Sequence, residues 1–371
     1  MRLLMSLFGP VTVVGFVTAI FWQWRRLTHE RHVFSTAIDR SAMGLWAGLI
    51  GGFVSAVLVS LSAFLGGLLL PASVLLSLTG LTLLALFLSG LGYATWWLGG
   101  AGILAVPLAD WLRQPVVMPS EWVWRLLVLV AIIWLINALL LAVIDPPIDV
   151  PTIKMGRRGV KIAVYDHRQF YWLPLVLPIA GTTFSALPWW PMLSVGTAHF
   201  TLIGLPLMLG AALRTKKQLP KRVLRLWAWQ YLVAGAVTLV MAIGAWLTPT
   251  WATGWLFALA GGGIVLGVAN ALATRGGVNY VSQTTTGVRI VAVQPETPAA
   301  KMGLMAGDVV LLCNQLPVHN DAELYAAIQQ HPTYCRLRVA GLDGEIRLCE
   351  TAIYEGAPHE LGMITFAEEL E

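Results

Sequence analysis

Long apolar stretches with few polar interruptions fill the first 274 residues. Runs near 3–24, 43–70, 122–143, 171–189, 192–213, 227–247 and 251–273 approach or exceed the roughly 20 residues that cross a bilayer as a helix. Residues 72–109 form one longer apolar run, too long for a straight span and sufficient for two short ones turning around Gly90 and Gly92. From Gly287 the pattern changes to short β-type runs separated by turn residues. Gly287–Val293 predicts a strand, followed by Thr297 as a helix cap and Pro298 at the first helical position, with the helix ending at Gly303. Gly307–Cys313 predicts the next strand, with a turn at Asn314 and Gln315. Asn320 and Glu323 form a capping box before a helix in which Leu324, Ala327 and Ile328 share one face. Strands near 333–340 and 345–350 follow, joined by the turn signal Asp343-Gly344.

Composition agrees with a membrane protein: 57% of residues are hydrophobic and 12% charged, and the mean hydropathy is +0.73, against roughly 45–50% apolar and 25% charged in soluble domains. Charge divides the chain. Residues 1–274 carry 18 Lys/Arg and 7 Asp/Glu, whereas residues 275–371 carry 6 and 12. The basic excess suits loops facing anionic lipid, and no basic stripe interleaved with aromatics points to nucleic acid. The spacing of Cys313, Cys335 and Cys349 suits neither a zinc site nor a disulfide framework, so they read as free thiols of a reducing cytoplasm.

Three clusters hold 15 of those 18 basic residues: Arg25, Arg26, Arg31 and Arg40; Lys154, Arg157, Arg158, Lys161 and Arg168; Arg214, Lys216, Lys217, Lys221, Arg222 and Arg225. All three are cytoplasmic only if residues 72–109 cross twice, or dip in and return; the double crossing is the reading adopted. The expected fold is therefore an α-helical polytopic membrane domain of about eight or nine helices over 1–274, with the N-terminus outside. A small cytoplasmic α/β domain over 275–354 and an acidic tail over 355–371 complete it. The first apolar stretch reads as an anchor, since no A-x-A-like cleavage site follows it. The uncharged aromatic segments Leu187–Pro191 and Leu247–Trp251 suit tight turns at the outer interface. Gly44, Gly48, Gly52 and Ala56 make one small-residue stripe and Gly263, Gly267 and Ala271 another, both read as intramolecular packing surfaces. His199, Asn137 and Asn270 are the polar residues inside the expected spans that a transport pathway would use.

The string G-V-R-I-V-A-V-x-P-x-T-P-A-A-K-M-G-L-x-x-G-D-V-V-L-L-x-N, from Gly287 to Asn314, resembles a bacterial-type PDZ domain. The resemblance covers residues 280 to about 352 and implies a partly open β-barrel or sandwich with two helices. Such a domain adds an extended peptide as a strand beside an exposed sheet edge. By the resemblance, the groove lies between the strand Gly287–Val293 and the helix Asp321–Ile328. Thr286, Gly287 and Val288 would offer N–H groups to a peptide carboxylate, Arg289 and Ile290 would continue the strand, and Ala322, Tyr325 and Gln329 would border the groove.

No catalytic, metal or cofactor site is expected. His29-Glu30-Arg31-His32 has its histidines at i and i+3, whereas a zinc helix needs i and i+4. Leu342-Asp343-Gly344 reads as a turn, and neither G-x-S-x-G nor a phosphate-binding G-x-x-x-x-G-K occurs. A polytopic domain followed by one PDZ domain, with the basic run W-R-R-L-T-H-E-R-H after the first span, resembles the MinJ-type cell-division topological determinants of Gram-positive bacteria. That resemblance implies a membrane scaffold at poles and septum linking a DivIVA-like coiled-coil protein to the MinD ATPase. The residues alone reach a membrane-anchored peptide-binding adaptor. They leave open a regulatory subunit of a membrane protease or secretion system, and a transporter with an accessory PDZ domain.

Overall fold

The computed structural model describes residues 10–34, 43–111, 119–143, 150–156, 159–180, 192–195, 198–275, 281–331, 333–352 and 361–366. Its membrane part contains α1 (Pro10–Phe34), α2 (Met43–Leu65), α3 (Ala72–Phe87), α4 (Ala101–Trp111), α5 (Pro119–Val143), α6 (Pro220–Leu247) and α7 (Ala252–Arg275). Among the described residues, five helices are long and apolar enough to cross a membrane: Gly44–Leu65, Ala72–Gly90, Ser120–Val143, Pro220–Leu247 and Pro249–Arg275. The run 72–109 does double back. After α3 the chain turns through Leu88–Tyr93, where Gly92 takes φ 144, and returns through a 3-10 segment, Thr95–Gly100, into α4. Ser77 of α3 donates to Ala101 O at 2.8 Å across this pair.

Two expected helices are strands. Residues 171–189 and 192–213 contribute to a long antiparallel hairpin of β2 (Lys161–Ala180) and β4 (Ala198–Thr215), in register from Tyr165↔Thr215 to Ala180↔Phe200. The short strands β1 (Val150–Met155) and β3 (Met192–Val195) flank it in the order β1-β2-β4-β3. The segment Leu187–Pro191 and the His199 side chain lie outside the described residues. Prolines explain the switch: Pro174, Pro178 and Pro206 would each interrupt a helix, whereas a strand tolerates proline where its N–H would face away from the ladder. Backbone groups alternate sides along an antiparallel strand. Phe170, Trp172 and Val176 turn theirs toward α2, and Pro174 and Pro178 fall in the same register.

An open sheet edge inside a bilayer needs protein partners, because no water reaches it. Along β2, the stripe read as a helix-packing surface seats the strand edge itself. A Cβ on Gly48 would lie 2.4 Å from Phe170 O, and one on Gly52 2.1 Å from Trp172 O. Gln169 Nε2 donates to Gly44 O at 3.0 Å, and Val176 N donates to Ser60 Oγ at 2.9 Å. Along β4, Tyr93 and Ala212 exchange backbone hydrogen bonds at 2.8 and 2.9 Å. Gly210 N donates to Asn137 Oδ1 at 2.8 Å, and Tyr93 Oη donates to Met208 O at 2.6 Å. The second stripe is also internal: Gly263 meets Gly99, and Gly267 meets the Trp96 ring.

Asn137 and Asn270, singled out for transport, belong to one buried polar network. Asn137 Nδ2 donates to Thr95 Oγ1 at 3.2 Å, Thr95 N to Tyr231 Oη at 2.8 Å, and Asn270 Nδ2 to the same Tyr231 Oη at 3.1 Å. These groups fix the hairpin edge, the 3-10 segment, α6 and α7 to one another, which gives both asparagines a structural reason to be buried. One member of each basic cluster meets the others at one end of the bundle. Arg25 and Arg168 lie over the same Trp22 ring, at 5.7 and 4.0 Å from its centroid. Arg168 and Arg214 both bond Asp166, at 2.9 and 3.0 Å.

The C-terminal domain adjoins that end. Its strands are β5 (Val288–Val293), β6 (Val309–Cys313), β7 (Leu316–Pro317), β8 (Tyr334–Ala340), β9 (Ile346–Ala352) and β10 (Met363–Thr365), with helices α8 (Pro298–Lys301) and α9 (Asp321–Gln329). The sheet order is β10-β5-β6-β8-β9, with β7 on β6, and it does not close into a barrel. Val288, Ile290, Val310, Leu324, Ile328, Leu337, Val339 and Leu361 are among its core. The capping box forms: Glu323 N donates to Asn320 Oδ1 at 2.8 Å, and His319 N donates to Glu323 Oε2 at 2.8 Å. Thr297 precedes α8 in extended conformation, but its hydroxyl donates to Gln294 O at 2.6 Å and does not cap the helix. Cys313, Cys335 and Cys349 are free and buried. Residues 361–366, expected within a tail, carry the outermost strand. Leu361 and Phe366 anchor it in apolar clusters, which a tail judged by its terminal acidity concealed. Residues 353–360 and 367–371 lie outside the described residues.

Candidate peptide-binding groove

Strand β5 is an interior strand, so the expected groove beside it has no free edge. Toward β6, Val288 pairs with Val310 and Arg289 with Val309. Ile290 N donates to Asp308 O and Ile290 O accepts from Gly307 N, both at 2.8 Å. A Cβ on Gly287 would lie 2.4 Å from Val310 O, so this glycine serves close packing on β6. Thr286 is exposed in the preceding turn, beside Thr284 at 3.0 Å. On the opposite side, Val293 pairs with Met363, Ala292 with Ile364 and Ile290 with Thr365. Val288, Arg289 and Ile290 therefore lie within an interior strand, Ile290 bonded on both sides, while Thr286 and Gly287 precede it.

The outermost strand on that side is β10, and it lies against α9. Thr365 Oγ1 donates to Asp321 Oδ1 at 2.5 Å, and Met363 packs against the cluster containing Leu324, Ala327 and Ile328. Ala322, Tyr325 and Gln329 are all exposed, and their i, i+3, i+7 spacing sets them on one helical stripe. These three helix residues thus lie on the surface of α9, and the strand packed against that helix is β10.

The turn into β10 is built by its own hydrogen bonds. Gln294 N donates to Gly362 O at 2.7 Å, and Ala299 N, in the first turn of α8, donates to Leu361 O at 2.9 Å. Gly362 takes φ 82, and a Cβ there would lie 2.3 Å from Thr297 Cβ; glycine serves both the left-handed conformation and the close approach. Behind the turn, the G-D pair has a defined role: Asp308 Oδ2 accepts from Met305 N at 3.0 Å and from Arg347 Nη2 at 2.8 Å. Asp321 and Glu323 put acidic groups in the first turn of α9. The hydrogen bond from His319 N, reinforced by its ring, holds the Glu323 carboxyl below its ordinary value. Among the described residues, no group of three His, Cys, Asp or Glu side chains is placed to hold a metal ion.

The family model described as "PDZ domain" matches residues 266–335, ending short of β10. Over 98% of its length the chain is 38% identical to a protein named "Probable cell division topological determinant MinJ" from Lacticaseibacillus paracasei, covering 98% of that relative. The chain belongs to the MinJ family. A more distant member, "Cell division topological determinant MinJ" from Bacillus subtilis (strain 168), is 27% identical over 93% of this chain and 89% of its own. No solved structure matches. The chain thus falls in a family of proteins named as cell-division topological determinants, and combines an N-terminal region of long apolar helices with a PDZ interaction domain.

Proposed function

We propose that this protein is a membrane-anchored adaptor of division-site selection, which links a DivIVA-like protein at poles and septum to a MinD-like ATPase. The end-to-end match to MinJ proteins carries this reading. The chain crosses the membrane repeatedly over residues 1–274, β2 and β4 providing two of the passes, and the PDZ domain from residue 275 faces the cytoplasm. The convergence of Arg25, Arg168 and Arg214 at the PDZ end supports that orientation, since basic loops are retained on the cytoplasmic side. The same charges attract anionic lipid headgroups.

The peptide-binding edge is β10, facing Ala322, Tyr325 and Gln329 of α9, with Leu361-Gly362-Met363 at its entrance. An extended cytoplasmic peptide or protein C-terminus adds beside β10, its backbone supplying affinity and its side chains meeting α9. No catalytic step is assigned. The test is co-purification of MinD-like and DivIVA-like proteins with full-length protein carrying Tyr325→Ala or Gly287→Ala. Tyr325→Ala should deplete at least one partner at unchanged membrane level. Gly287→Ala, which strains the β5–β6 packing, should instead lower the level of folded protein. Unchanged recovery of both partners with Tyr325→Ala and with a second groove variant, Gln329→Glu, would overturn the groove assignment.

A further inference from the structure

The PDZ domain meets the base of the membrane hairpin through the segment leading into β5 and through apolar residues of β10 and its flank. Ala163 N donates to Val281 O at 3.0 Å, and Gln283 N donates to Lys161 O at 2.9 Å, so β2 continues into the approach to β5. Ala163 and Tyr165 of the hairpin share one buried cluster with Val281, Val291 and Phe366, against which Ile364 also packs. Ile364 and Phe366 bracket Thr365, the β10 residue bonded to α9. One side of β10 therefore meets the helix while its flanking residues rest on the membrane domain.

The ladder between β5 and β10 breaks at this point. Ala292 pairs with Ile364 but Ile290 with Thr365, leaving Val291 as the extra residue of a bulge. The Val291 carbonyl accepts a hydrogen bond from Tyr165 Oη at 2.7 Å. A strand as short as Met363–Thr365 has little ladder to hold it, and bulges are where pairing is most readily re-aimed. Resting on the groove assignment above, we propose that Tyr165 of the membrane hairpin is a positioning residue of the peptide-binding groove. Through Val291 it holds β10 in the geometry that receives a peptide. Occupancy of the groove and docking of the PDZ domain on the hairpin are then reciprocally linked, as two events that favour one arrangement must be.

The test needs no ligand. Site-resolved hydrogen exchange is measured on the full chain in lipid nanodiscs for wild type, Tyr165→Phe, Thr365→Val and the double variant. Tyr165→Phe removes one buried hydrogen bond and should speed exchange of the 364–366 amides roughly five- to tenfold, with β6 and β8 amides unchanged. Thr365→Val, made at the groove, should reciprocally speed exchange of the Ala163 and Gln283 amides, and the double variant should be non-additive. Unchanged β10 exchange in Tyr165→Phe would overturn the proposal. So would a uniform rise across the PDZ domain, which marks a merely structural contact, or strict additivity of the pair. Failure of the groove assignment shows separately, as partner recovery insensitive to Tyr325→Ala and Gln329→Glu.

Discussion

Replacing Gly52 with alanine places a methyl carbon 2.1 Å from Trp172 O and 2.7 Å from Trp172 C and N. Those are backbone atoms of a strand fixed by β4, so no side-chain rotation relieves the contact. Reaching ordinary van der Waals separation requires α2 and β2 to part by more than about 1 Å. Overpacking of this kind costs about 1–3 kcal/mol. The Val176–Ser60 hydrogen bond, on the same edge two turns along α2, contributes about 1 kcal/mol more when stretched. A total near 2–4 kcal/mol is a large part of a domain's stability and should lower the unfolding temperature by several degrees. The assay is thermal unfolding of purified full-length protein in detergent, followed by size-exclusion of a fluorescent fusion. Gly261→Ala is the control, since nothing lies within 4 Å of a Cβ there; it should be neutral or slightly stabilising. Equal unfolding temperatures for Gly52→Ala and wild type, or equal losses for both variants, would refute the close seating of β2 on α2.

Asn137→Leu leaves Gly210 N without its acceptor inside the bundle and should cost about 1–3 kcal/mol, read in the same thermal assay. Glu323 is held below the ordinary carboxylate value by His319 N–H and then its ring. The capping box therefore contributes fully above the unfolded value of about 4.3 and is lost as pH falls through the lower folded value. Acid titration of the Glu323 and His319 amide shifts checks the sign, and loss of the cap well above that range would contradict it. Cys313 and Cys335 are fully buried. The hydrogen bond to Cys313 and burial raise the Cys335 thiol, and burial raises Cys349. All three should resist maleimide until the protein unfolds, and rapid labelling of the native protein would count against this core.

Much of the architecture was legible because it depends on local chemistry. The doubling-back of 72–109 followed from its length and Gly92, and the PDZ elements followed from Pro298, the Asn320–Glu323 box and Asp343-Gly344. The hairpin was missed because a continuous apolar run carries no period, so helix and buried strand look alike. Pro174, Pro178 and Pro206, all at even spacing, were the available signal. The glycine stripe marked a close approach without revealing that its partner was a strand edge. The outermost strand was hidden because Leu361-Gly362-Met363-Ile364-Thr365-Phe366 precedes an acidic terminus. Its short apolar, β-branched run after a glycine was the cue to a strand. Register with β5 is a long-range property that no local pattern specifies.

The central claim, that this MinJ-family chain acts as a division-site adaptor, is tested most directly by the position of a functional fluorescent fusion at native expression. It is scored in otherwise wild-type cells and after removal of the DivIVA-like protein. Enrichment at septa and poles that disperses on removal is the expected result. A uniform membrane signal in both backgrounds, with normal placement of division septa when the protein itself is deleted, would contradict it.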